Sequence, residues 1–186
     1  MWLEIVIVIA ALHQLPATNP AQNEMNYDWD FSHGHDVTVV AWPKERRPKP
    51  DSLYLLTLER EVRVKITPEK EFRRFVRRAT FSRWGNQLDF VEFHLPRQSV
   101  DQIITTATEL ATQWNIDTRK LSAWKAEVDA GSENATVLLS KPSTTPAFAV
   151  EVFPTFDPNK PFRIVFTISW LNEPKAKSAA TTEPSK

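Results

Sequence analysis

The chain contains no cysteine, and this absence removes a whole group of chemistries. Disulfides, thiolate nucleophiles, cysteine zinc sites and iron–sulfur clusters all require the thiol group. The absence does not fix the compartment, because a cysteine-free chain is compatible with oxidising and with reducing surroundings.

Glycine is also scarce, with three in 186 residues. Because Gly34, Gly85 and Gly131 stand far apart, the sequence holds neither a dinucleotide-binding fingerprint nor a phosphate-binding P-loop. It also lacks the G-x-S-x-G nucleophile elbow and the H-E-x-x-H zinc helix. No motif is specific enough to indicate a family or an enzyme class.

The composition, 41% hydrophobic and 25% charged, is typical of one globular domain. We expect a single domain preceded by a polar region and followed by a disordered tail, since the last residues are rich in Ala, Thr, Ser, Lys and Pro. The predicted divisions are a possible signal or anchor segment at 1–22, the polar region at 23–36, the domain at 37–171 and the tail at 172–186.

An unbroken apolar run extends from Ile5 to Leu12. These eight residues are too few to span a bilayer, which takes about 20, but they fit the apolar part of a secretory signal. No positive charge precedes the run and no clean cleavage site follows it. We predict an exported or membrane-anchored protein, and the alternative is a core strand in a cytoplasmic one.

Alternation of apolar and polar residues predicts most of the strands. Residues 53–66 keep apolar side chains at even positions, and residues 161–170 alternate most clearly of all. One wet and one buried face favour antiparallel pairing. The other predicted strands are 37–42, 88–95, 135–140 and 147–153.

Three segments carry helical patterns. Thr67-Pro68 is a typical helix start, and Phe72, Phe75, Val76 and Ala79 follow at helical spacing, which predicts a helix at about 68–82.

A helical hairpin is predicted further along the chain. Ser99 and Gln102 form a capping-box pattern at its start. Asp117 begins its second helix, and Gly131 ends it. The whole pattern predicts an α+β fold, a mainly antiparallel sheet with about three helices packed on one face.

The formal net charge of zero conceals a segregation of charge. Residues 1–43 carry five acids and no Lys or Arg, whereas residues 44–84 carry thirteen bases and six acids, which is +7. On a helix at 68–82 the basic side chains would line one face opposite the phenylalanines. These candidate anion-binding or partner-binding residues are Lys70, Arg73, Arg74, Arg77, Arg78 and Arg83.

This basic stripe predicts a non-catalytic binding or interaction module whose partner is an acidic protein, an anionic lipid or an anionic polymer. Sequence-specific nucleic-acid binding is not favoured, because the aromatic residues of this segment would face the core. The alternative is a solvated stripe paired with neighbouring glutamates. The sequence does not indicate an oligomeric state.

A second candidate site is a cluster of possible metal ligands. Five of them occur within nine residues: Asp28, Asp30, His33, His35 and Asp36. His and Asp are ligands for divalent metals such as zinc, so a metal-dependent hydrolase is the alternative function. A polar loop without a ligand is the other interpretation. The sequence indicates no further cofactor.

Overall fold

A computed structural model describes residues 27–38 and 52–171 of the chain. The predicted signal or anchor segment and the predicted tail lie outside these residues and stay predictions. Most of the predicted strand 37–42 lies outside them as well. None of the helices in the two described ranges has the length and the apolar character that a membrane span needs.

The described residues form seven strands and two helices. In chain order they are β1 (Trp29–Asp30), β2 (Ser52–Thr67), β3 (Lys70–Trp84), β4 (Gln87–Gln98), α1 (Val100–Gln113), α2 (Arg119–Asp129), β5 (Val137–Lys141), β6 (Ala147–Pro154) and β7 (Phe162–Ser169).

All seven strands belong to one sheet in the order β1-β2-β3-β4-β7-β6-β5. Two antiparallel meanders, β2-β3-β4 and β5-β6-β7, meet where β4 pairs with β7, and the helical hairpin connects them along the chain. The sheet is mixed, because the short β1 runs parallel to β2. Helix α1 packs beside β6 and β7, and α2 packs beside β5.

The expected fold class is wrong in its detail, although the coarse class α+β is correct. The described residues contain two helices instead of three, and the sheet is mixed rather than mainly antiparallel. The error lies in the segment predicted as the helix 68–82, which is strand β3. Pro68 begins no helix, since Thr67 already pairs with Lys70 across a tight turn between β2 and β3.

The apolar residues of strand β3 have a helix-like spacing in the sequence because the alternation of core-facing and outward-facing side chains shifts by one residue along the strand. Phe72 and Val76 are buried in its first half, and Ala79 and Phe81 in its second half. The pairing with β2 shifts between Thr57 and Arg60. There Glu59 takes a left-handed backbone conformation with φ 48°, which is typical of a β-bulge. The core-facing residues Phe72, Val76 and Ala79 are therefore four and three positions apart, which is the spacing of residues on one face of a helix.

Aromatic rings fill the core between the sheet and the helices. Phe72 stacks on Phe93 and Phe166, with ring centroids 4.9 and 5.0 Å apart. Trp114, at the end of α1, stacks on Phe148 at 4.6 Å and so joins the helix to β6. Such ring pairs contribute about 0.5–1.5 kcal/mol each beyond the area that they bury.

The predicted helical hairpin is confirmed, with its first cap in place. The Ser99 hydroxyl accepts from the backbone of Gln102, whose side chain in turn accepts from the Ser99 backbone. Asp117 lies just before α2 and accepts from the backbone N–H of Arg119 at 2.9 Å. The strands predicted at 53–66, 88–95, 135–140, 147–153 and 161–170 also correspond to strands of the sheet.

Candidate anion-binding site

The basic side chains predicted to share one helical stripe are separated by the strand. Two of them, Arg73 and Arg77, point outward from β3 and form ion pairs with Glu61 and Glu59 of β2, each at 2.8 Å. All four side chains are about half exposed. Exposed pairs of this kind contribute less than about 1 kcal/mol each to stability. Together they form a row of charge pairs between β2 and β3.

Two other members of the set face the helices. Arg74 reaches Glu109 of α1 at 3.1 Å. Lys70 donates to the backbone oxygen of Gln113 at 3.4 Å and lies 5.6 Å from the centre of the Trp114 ring. These contacts hold α1 against the edge of β3. Arg83, at the far end of the strand, donates to the backbone oxygen of Gly85 at 2.6 Å, inside the β3–β4 turn.

Arg78 is the exception among the predicted residues. Within the described part of the chain it has no hydrogen-bond acceptor and no ion-pair partner. It lies on the sheet face opposite α1 and α2, called here the back face, directly across from His94 on β4. His94 in turn pairs with Val165 on β7. Arg78 therefore stands at one end of a row that crosses three central strands.

A cavity of about 340 Å³ opens on this row. Strands β2, β3, β4 and β7 all contribute to its wall. The lining residues are Thr57, Glu59, Arg77, Arg78, His94, Leu95, Arg97 and Arg163. Four guanidinium groups and one histidine thus face a single lining carboxylate, that of Glu59, and Arg77 already occupies it. The wall of the cavity keeps a net positive charge.

Arg163 is the most constrained of these cations. Its Nε atom is buried and has no hydrogen-bond partner in the described part of the chain. Burial lowers the pKa of Arg163, and the positive charges of Arg78 and Arg97 lower it further. Arg97 has only a loose carboxylate neighbour, since its Nη1 lies 3.9 Å from Asp157. The three guanidinium groups therefore repel one another across the cavity without a close counter-charge.

His94 lines the cavity between Arg78 on β3 and Val165 on β7. Its Nε2 atom lies 3.1 Å from the Thr80 hydroxyl and 3.5 Å from a carboxylate oxygen of Glu92. Its Nδ1 atom is buried without a partner among the described residues. The ring therefore offers one nitrogen that no described protein group satisfies, and buried polar atoms of this kind are uncommon.

Two carboxylates lie outside the lining of the cavity, Glu92 on β4 and Glu151 on β6. Glu151 pairs across the sheet with Val165, next to the His94 row. Burial raises the pKa of Glu151, and the negative charge of Glu92 raises it further. The back face therefore carries positive charge at the cavity and negative charge at Glu92 and Glu151. An anion would be attracted to the first and repelled by the second.

The predicted metal ligands are held by other contacts. Asp28 accepts from the side chain of Arg60 and from the backbone N–H of Arg63 at 2.9 Å. Asp30 accepts from the backbone and hydroxyl of Ser32, at 2.9 and 2.5 Å. Both carboxylates therefore serve the local backbone and the contact with β2.

The remaining three residues of that cluster also diverge. Asp36 accepts two hydrogen bonds from Thr38, and these lower its pKa. His35 stacks on Trp170 with ring centres 5.1 Å apart, and His33 is exposed. Residues 27–38 and 52–171 contain no group of three His, Asp or Glu side chains placed to hold a metal ion. The geometry gives the hydrolase alternative no support.

Three residues of the cavity were not anticipated from the sequence: His94, Arg97 and Arg163. Each is polar on a strand, which is a common surface pattern. Only the register that places Arg78 opposite His94, and Arg97 opposite Arg163, brings them together. A pairing register is a tertiary property, and no short motif in the chain encodes it.

Comparison with known proteins adds no assignment. No protein-family model, no curated protein and no solved structure matches the chain. The charge and shape of the back-face cavity are therefore the basis for a functional proposal.

Proposed function

We propose that the protein is a binding module that holds an anionic group of its partner in the back-face cavity. The observation that carries the proposal is the convergence of Arg78, Arg97 and Arg163 on one cavity: among the described residues Arg78 and Arg163 have no ion-pair partner, and the carboxylate nearest Arg97, that of Asp157, is 3.9 Å away. Like charges placed together in a partly buried site are unfavourable. An anion between them removes the repulsion and supplies acceptors for the unpaired N–H groups.

The chemistry of the guanidinium group supports this role. Each one presents a planar fork of donors that matches the oxygens of a carboxylate or a phosphate. Of the six basic residues selected from the sequence, two line the cavity, Arg77 and Arg78, and only Arg78 lacks a partner among the described residues. The proposed contact surface is therefore narrower than a stripe of six, and it belongs to a sheet.

The size of the cavity favours a single anionic group over a long polyanion. About 340 Å³ accommodates one small anion with part of its carrier. Glu92, which lies 3.5 Å from His94, and Glu151 stand outside the cavity lining and would repel the next charge of a continuous polymer. Among the expected partners, an acidic protein, an anionic lipid or an anionic polymer, the cavity favours those that present one discrete anionic group.

Binding is a better proposal than catalysis for this cavity. His94 contacts the hydroxyl of Thr80, but the carboxylate of Glu92 approaches the same ring nitrogen, Nε2. In a catalytic triad the carboxylate holds the other nitrogen and orients the ring toward the nucleophile. Thr80 is also buried and does not line the cavity.

Titration of the full chain with inorganic phosphate, sulfate and citrate tests the proposal. Calorimetry at several chloride concentrations measures both affinity and its dependence on salt. In Arg78→Gln we expect affinity to fall by about tenfold or more, because a charged hydrogen bond contributes about 1.5–3 kcal/mol. Arg73→Gln is the matched control, since Arg73 lies on the same strand and outside the cavity.

The control variant should bind as the unmodified chain does. Two results would overturn the proposal: no anion binding by the unmodified chain at low salt, or equal losses in the two variants. Urea denaturation of both variants checks that the fold is unchanged.

A further inference from the structure

A second cavity of about 290 Å³ adjoins the first. Three residues line both cavities, Glu59, Arg77 and Arg97, so the two form one groove on the back face. The second cavity has a different character. It adds an aromatic ring, Phe75, together with Pro96, Asp157 and Lys160.

Phe75 stands out among the residues of this groove. It is 48% exposed, although phenylalanine is one of the residues most often buried in proteins. Its ring lies in a wall that is otherwise mostly charged, and Pro96 is the other apolar residue of that wall. The groove therefore joins an end that exposes one aromatic ring among charges of both signs to an end with a net positive charge.

We infer that the ligand is a phosphate monoester that carries a planar ring, with the phosphate among Arg78, Arg97 and Arg163 and the ring on Phe75. This inference rests on the proposed function, because the cationic cavity must first bind an anion. It specifies the chemical class of that anion, and it assigns ring binding to the part of the groove that Phe75 lines.

A phosphate is favoured over a carboxylate because three guanidinium groups, each with several N–H donors, face the cavity. A phosphate monoester carries between one and a half and two negative charges near neutral pH and has three terminal oxygens. These match three guanidinium groups that arise from three strands, β3, β4 and β7. A carboxylate has two oxygens and a single negative charge, so it offsets less of the positive charge of three guanidinium groups.

The ring is favoured by the surface beside the cationic end. A planar aromatic group stacks well on phenylalanine, and a base on an aromatic side chain gains enough to change affinity about five- to a hundredfold. Asp157 and Glu59 line this end of the groove as well. With Arg77, Arg97 and Lys160 they give this end a formal charge of +1 (three bases, two acids), against +3 for the first cavity (four arginines, one glutamate), so a second phosphate is held less strongly there and a monoester suits the groove better than a nucleic-acid strand.

The test compares phosphate compounds with and without a ring on the full chain. The probes are inorganic phosphate, ribose 5-phosphate, adenosine monophosphate and phenyl phosphate, with adenosine as the ring without a phosphate. We expect the two ring-bearing phosphates to bind about tenfold more tightly than ribose 5-phosphate. The comparison between adenosine monophosphate and phenyl phosphate distinguishes a nucleoside from a simple aryl group.

Variants of Phe75 assign the gain to its ring. Phe75→Ala and Phe75→Leu should reduce the ring-bearing phosphates to the affinity of ribose 5-phosphate and leave inorganic phosphate unchanged. Leucine keeps an apolar side chain and removes the aromatic face. Phe156→Ala is the matched control, since Phe156 is a fully exposed phenylalanine that lines neither part of the groove.

The outcomes separate this inference from the function on which it rests. If inorganic phosphate binds through Arg78 and the ring adds nothing, the inference is overturned and the anion-binding function stands. Citrate or acetate binding as tightly as phosphate would also overturn it. If no anion binds at all, both proposals fail together.

Discussion

Two phenylalanines three residues apart on β3 provide a sharp test of the fold. Phe72 is 0% exposed and stacks on Phe93 and Phe166, whereas Phe75 is 48% exposed. Had residues 68–82 formed a helix, both side chains would lie on the same buried stripe. Replacing each by alanine therefore distinguishes the strand from the helix with the same chemical change.

The expected losses of stability follow from the two environments. Truncating a fully buried phenylalanine costs about 3–5 kcal/mol, because the lost transfer free energy adds to the cost of the cavity. For Phe75 about half of the ring already contacts water, so the loss is about 1 kcal/mol, with no closed cavity. Any difference in strand propensity between Phe and Ala contributes to both variants and cancels in the comparison.

Urea denaturation of the full chain measures the difference. With a slope of about 2 kcal/mol per molar urea, the midpoint of Phe72→Ala should lie about 1–2 M below that of Phe75→Ala. Equal losses in the two variants, within about 1 kcal/mol, would refute the strand assignment and the phase change on which it depends. The small loss at Phe75 also means that its variants stay folded for binding measurements.

Two further predictions concern residues near β5 and β6, at one end of the sheet. The indole N–H of Trp124 donates to the buried backbone oxygen of Ala135 at 3.1 Å. Trp124→Phe removes this donor and should lower the free energy of unfolding, measured by urea denaturation, by about 2 kcal/mol. A loss below about 0.5 kcal/mol would contradict this contact. Burial raises the pKa of Glu151, so its ionisation destabilises the folded state as pH rises through the raised value. Glu151→Gln should therefore stabilise the chain at about pH 7 and lose that advantage at about pH 4, measured by urea midpoints; an equal effect at both pH values would argue against it.

The helical hairpin could be predicted because its signals are local. The capping box at Ser99 and Gln102 satisfies backbone groups within a single turn. The apolar face of α1, with Ile103 and Leu110 buried, repeats at the helical period without interruption. Such patterns depend on residues a few positions apart, and no distant partner is needed to recognise them.

Strand β3 could not be predicted because its pattern depends on a partner. The bulge that shifts the phase of its inward side chains is on the partner strand β2, at Glu59, where the left-handed backbone occurs at a glutamate rather than at a glycine. A residue with a side chain gives no warning of that conformation. In the polar cluster at Asp28 to Asp36 the partners differ: Asp28 binds the side chain of Arg60, far along the chain, whereas Asp36 accepts from Thr38, two residues on.

The irregularity that hid the strand also builds the proposed site. In a regular strand, neighbours such as Arg77 and Arg78 point to opposite faces of the sheet. Here both line the same cavity, and they stand between Val76 and Ala79, where the inward phase changes. Arg77 takes the carboxylate of Glu59, at the bulge itself, and leaves Arg78 without one. Without the bulge, Arg77 and Arg78 would point to opposite faces of the sheet, and one of them would face the core. The bulge is therefore what places the charge of Arg78 beside Arg77 in the cavity.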